Sequence, residues 1–115
     1  MRKNVIKDKS YLFAIRIVRL CKMLQSDKKE FVLSKQLLRS GTAPGALVRE
    51  AEHAQSRADF IHKMSIGLKE INETDYWINL LYDTGYLTKE EYDSIIVDTH
   101  EILKLMISIV KTSKK

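Results

Sequence analysis

"FIHKMSIGLKEINETDYWINLL", Phe60 to Leu81, places Phe60, Met64, Gly67, Ile71, Thr74, Ile78 and Leu81 at spacings of four, three, four, three, four and three. Such a seam turns one face of a helix toward its neighbours in a left-handed bundle. The flanks give its ends. Ser56 with Asp59 reads as a capping box that opens the helix, and Gly85 in "DTGYLTKEE" closes it. Thr88 and Glu91 repeat the box and open a further helix. In that helix Tyr92, Ile95, Ile96, Thr99, Ile102, Leu103, Met106, Ile109 and Val110 form a second apolar face, while Asp93, Asp98, Glu101 and Lys104 face water.

Upstream, Tyr11 to Gln25 carries two apolar stripes. Tyr11, Ala14, Ile15, Val18 and Cys21 form one, and Phe13, Ile17, Leu20 and Leu24 the other. Together they cover about 220° of a helix, well over the arc of little more than 100° that one bundle core requires. Part of this helix is therefore expected to meet a second chain. "DKKE" suggests another box, with Asp27 as N-cap and Glu30 at the third position of helix two. That helix runs into Ser40 to Ala46, which holds the only proline and two of the four glycines. Pro44 removes a donor and crowds the carbonyl of Ser40, so the helix is expected to kink or to restart there, with Thr42 as a new cap. Short connections make successive helices antiparallel. The expected fold is all-α: one antiparallel up-and-down four-helix bundle over residues 1–115, helix two kinked near Gly41 to Gly45, with 1–8 and 112–115 as flexible ends.

The net charge is +5, and it is uneven. From Met1 to Lys29 there are nine Lys/Arg against two Asp/Glu, whereas the rest of the chain is nearly balanced. Arg16, Arg19 and Lys22 interrupt any apolar span in the first helix, so neither a signal region nor a membrane segment is expected. The single cysteine, Cys21, allows no intramolecular disulfide and fits a buried thiol in the cytoplasm.

The segment "QLLRSGTAPGALVREAEHAQSRADFIHKMSIGLKEINETDYWINLLYDTGYL" resembles the central signature of the bacterial four-helix bundle proteins named after reading frames in intervening sequences of 23S rRNA genes. The resemblance runs from Tyr11 to Lys111. It is strongest at Gln36 to Arg39, at Glu50, in "SRADFIHKMSIGLKEINET" with Glu70 and Glu73, and in "DTGYLTKEEY". It implies closed homopentamers. A related branch serves as the basic accessory protein of diversity-generating retroelements, which implies a nucleic acid or a nucleic-acid enzyme as partner. The chain departs from the family pattern at Ala43, Pro44, Gly45, Ala46 and Leu47, where a serine and an asparagine are usual. No role resting on those two residues carries over, and the apolar Leu47 gives the segment the look of an interface.

No catalytic constellation emerges, and the chain is not expected to be an enzyme or to need a cofactor. Glu50 with His53, and Asp59 with His62, have the Glu-x-x-His spacing of di-iron bundles or a weak echo of it. Such a site also needs inward carboxylates on other helices, and the first helix has none after Asp8, so no metal is expected there. Glu70 and Glu73 sit beside the seam of helix three and are expected to pair with arginines such as Arg39 or to lie at an interface. The candidate site is instead basic: Arg16, Arg19, Lys28, Lys29, Lys35 and Arg39, expected to hold phosphates of RNA or another nucleic acid without base-specific readout. The alternative is an oligomeric scaffold or protein-interaction module whose basic residues serve only solubility.

Overall fold

Asn4 opens the first helix by accepting the Lys7 N–H at 3.1 Å, and Asp8 in the first turn complements the helix dipole. In the computed structural model, which describes residues 4–115, four helices follow: α1 (Val5–Ser26), α2 (Leu33–Ala51), α3 (Arg57–Asp83) and α4 (Lys89–Ser113). The first helix begins well before Tyr11 because Asn4 caps it and Ile6 and Ser10 are buried. Val5 to Asp8 and Thr112 to Ser113, within the two ends that the sequence suggested were flexible, are helical; Met1 to Lys3 lie outside the described residues. No strand forms among the described residues.

Each helix packs antiparallel on the next, and α4 returns to close the bundle against α1 more loosely than the other pairs meet. At 27 residues α3 is about 40 Å long, nearly the 44 Å length of the molecule. Its seam turns inward as the spacing requires. Met64, Gly67, Ile71, Thr74, Ile78 and Leu81 are buried, and Phe60 packs against the core from its edge. They meet Phe13, Ile17, Cys21 and Leu24 of α1, Leu37 and Val48 of α2, and Ile95, Ile102 and Met106 of α4.

The caps follow the sequence in two places and depart from it in two. Thr88 and Glu91 form the full reciprocal box, and Gly85 takes the positive φ of 86° that ends α3. Ser56 accepts the Asp59 N–H at 3.0 Å, but the Asp59 carboxylate returns to Gln55 N–H rather than to Ser56. The larger departure is at "DKKE". Asp27 does not open α2; its N–H bonds Met23 O at 2.8 Å and finishes α1. Lys29 then turns the chain at φ 55°, and Glu30 folds inward. The Glu30 carboxylate accepts the N–H groups of Val32, Leu33 and Ser34 at 3.2, 3.1 and 2.7 Å, satisfying the orphan donors of α2.

Helix α2 runs unbroken through Pro44, so no restart occurs at Thr42. Instead Thr42 Oγ1 donates to Leu38 O at 2.7 Å, as a threonine in a helix interior does. The lost bond at Ser40 O is tolerated because the segment is packed on both sides. A Cβ placed on Gly45 would stand 3.2 Å from Ser10 O, and one on Gly41 would lie 2.8 Å from both Cγ atoms of Ile17. On the other side the Ser40 and Thr74 hydroxyls are hydrogen-bonded at 3.0 Å. The small residues therefore serve close crossings with α1 and α3 inside one chain, and Leu47 packs near Gly67 of α3.

Cys21 is buried, and its thiol donates to Ser34 O at 3.3 Å. Burial first, and then the neighbouring Glu30 charge, push its pKa up to about 12. A thiol held un-ionised reacts poorly. Folded protein at pH 8 is expected to resist a disulfide-exchange reagent that titrates one thiol per chain after denaturation; rapid reaction of the native protein would contradict this burial.

Candidate nucleic-acid interface

The six basic residues singled out in the sequence do not converge on one spot. Arg16 is drawn across to α4, where its guanidinium is ion-paired with Asp98 and donates to Ser94 O and Ser94 Oγ at 3.3 and 2.7 Å. With the Lys9–Glu101 pair beside it, Arg16 fastens the loosely packed α1–α4 edge. It is a structural tie rather than a free cation. Arg19 is exposed at the rim of an open cleft floored by Leu20, Met23 and Ile95, with Glu90 and Glu91 on the α4 side.

Lys28 and Lys29 project from the α1–α2 connection, and Lys35 and Arg39 stand one turn apart on the outward face of α2, opposite its buried Ser34, Leu37, Ser40 and Gly41. All four are exposed. Among the described residues none of them, nor Arg19, makes an ion pair, whereas Lys7, Lys9, Arg16, Lys63 and Lys89 each hold a carboxylate. Two local acids offset part of this field but not all of it, leaving five cations against two carboxylates. Asp27 accepts from the Ser26 hydroxyl at 3.0 Å, and Glu30 is turned into the protein. Burial works against the Glu30 charge, but the backbone donors of Ser34, Leu33 and Val32 outweigh it and hold the carboxyl below the usual glutamate range. The result is a basic edge formed by the connection and the outer face of α2.

Phe31 and Val32, which sequence reasoning did not single out, complete this edge. They are 50% and 71% exposed at the centre of this basic edge. The clue in the sequence was Glu30 four residues before Ser34, a carboxylate placed to cap a helix that starts after Phe31 rather than before it.

Among the other candidates, Glu50 and Asp59 have structural partners. Glu50 pairs with Lys63 at 3.1 Å, Asp59 caps the start of α3, and no cluster of three metal-binding side chains forms among the described residues. Glu70 is half-buried and Glu73 exposed, and the expected pairing with Arg39 is not formed among the described residues. Near them Trp77 Nε1 is enclosed without an acceptor among the described residues. No helix among the described residues is long and apolar enough to cross a membrane.

The family model described as 23S rRNA-intervening sequence protein matches residues 2–108. A solved structure of similar fold, a protein of unknown function from the S23 ribosomal protein family of Bacteroides thetaiotaomicron VPI-5482, is 62% identical. The match covers 92% of this chain and 98% of that one, with a TM-score of 0.91. No curated protein matches the chain. With a seamed four-helix bundle and a family match over nearly its whole length, the chain belongs to the 23S rRNA-intervening sequence protein family.

Proposed function

We propose that this protein is a non-catalytic, homo-oligomeric accessory protein of the cytoplasm that holds nucleic acid by its phosphates, with RNA as the first candidate. The observation that carries the reading is the unpaired basic edge of Lys28, Lys29, Lys35 and Arg39, flanked by Arg19. Cations left without carboxylates lose little on meeting a polyanion, and each phosphate neutralised releases counterions. The solved relative's description refers to a ribosomal protein family, which favours RNA among polyanions.

Oligomerisation rests on a second observation. Tyr11, Leu12 and Val18 stay 51, 61 and 37% exposed on α1 after the bundle has closed, so the excess apolar arc of that helix is not consumed within one chain. Five-fold closure is the resemblance's implication, and it would repeat the basic edge around a ring. The same apolar residues favour the second reading, an oligomeric scaffold that binds no nucleic acid.

Light scattering of the purified protein, followed by gel-shift titration with RNA, single-stranded DNA and duplex DNA at low salt, separates the two. The proposal expects an assembly larger than a monomer that retards nucleic acid. An assembly that retards none of the three supports the scaffold, and a monomer overturns the oligomer.

A further inference from the structure

Phe31 is half exposed, yet nothing about its loop is loose. Asp27 N–H is bonded to Met23 O, Glu30 N–H to Leu24 O at 3.0 Å, and the Glu30 carboxylate pins the next three N–H groups. The connection therefore holds an aromatic ring and Val32 outward on a fixed backbone. On one side stand Lys28 and Lys29, and one turn beyond stands Lys35, all exposed and without ion pairs among the described residues. Folding explains the buried Glu30; it does not explain leaving an aromatic face in water beside three cations that outnumber the one exposed carboxylate of the connection, Asp27.

We propose that Phe31 is a stacking platform for a base of a single-stranded nucleic acid whose phosphates are held by Lys28, Lys29 and Lys35. This rests on the phosphate-binding reading above and adds strand selectivity to it. Aromatic faces accept any base, and together with a cationic track they form the usual means of gripping single strands without sequence preference. A duplex keeps its bases stacked inside and offers such a ring nothing. Phenylalanine has no hydrogen-bonding group, so the contact reads an unpaired base rather than its identity. Because the loop is already ordered, little conformational freedom is lost on binding.

The test is fluorescence anisotropy with labelled single-stranded RNA, single-stranded DNA and a matching duplex, using wild type, Phe31→Ala and Phe31→Tyr. Phe31→Ala is expected to weaken single-strand binding by about tenfold and to leave duplex binding unchanged, with Phe31→Tyr near wild type. If Phe31→Ala binds single strands like wild type, stacking is overturned while phosphate binding stands. Equal losses on single strand and duplex overturn it too. A Phe31→Ala protein that melts earlier, or dissociates in light scattering, makes the ring a packing or subunit contact and overturns the proposal. If wild type binds nothing at low salt, the phosphate-binding reading itself fails.

Discussion

Reversing Lys28, Lys29 and Lys35 together to glutamate is expected to lower nucleic-acid affinity by ~100-fold or more at low salt, through the loss of phosphate contacts and the repulsion that replaces them. The salt slope should flatten by about one for each phosphate contact removed. All three side chains are exposed and unpaired among the described residues, so helix content and melting temperature should hold. Reversal at Arg16 would be a poorer test, since it also breaks the tie to Asp98 and Ser94 that closes α1 on α4. Anisotropy titration checks the prediction, with circular dichroism as the control for folding. Unchanged affinity in a folded triple variant would remove the basic edge from the account.

The largest effect on stability is expected at Glu30. Replacing it by alanine strips three N–H groups at the start of α2 of their acceptor and leaves a gap near the core, at a cost of about 2–3 kcal/mol. The carboxyl is held below its ordinary range, so its contribution is complete above the pKa it has in the unfolded chain. It is lost as pH falls through the lower pKa of the folded state. Urea unfolding should therefore show wild type losing this increment in acid, and Glu30→Gln, which carries no charge, should lack that part of the pH dependence. Wild type and Glu30→Ala with equal midpoints at neutral pH would show that the cap is supplied by something else.

The same residue shows where sequence reading reached its limit. An Asp-x-x-Glu pattern looks alike whether the aspartate starts a helix or ends the one before it. The outcome depended on Lys29 adopting a left-handed turn, which no local preference of lysine announces. The α3 seam was legible because packing alone sets its period, and Thr88 with Glu91 was legible because the box is satisfied within four residues. Pro44 was read as a kink or a restart because local chemistry argues for one or the other, and the restart did not form. Tertiary contacts at Gly41, Gly45 and Ser40 held the helix together across it. Among the basic residues, charge was visible in the sequence but availability was not. Only the antiparallel return of α4 sets Asp98 against Arg16, and only the inward turn of Glu30 leaves Lys28, Lys29 and Phe31 on the outside.

The central claim is that this bundle holds nucleic acid through unpaired surface cations, and the dependence of wild-type affinity on salt tests it most directly. Binding of one single-stranded RNA is measured from low to physiological ionic strength, and the logarithm of the affinity is plotted against the logarithm of the salt concentration. The account predicts measurable binding at low salt and a straight, steeply falling line whose slope reflects several phosphate contacts per binding site. No binding at the lowest salt, or an affinity indifferent to salt, would contradict it.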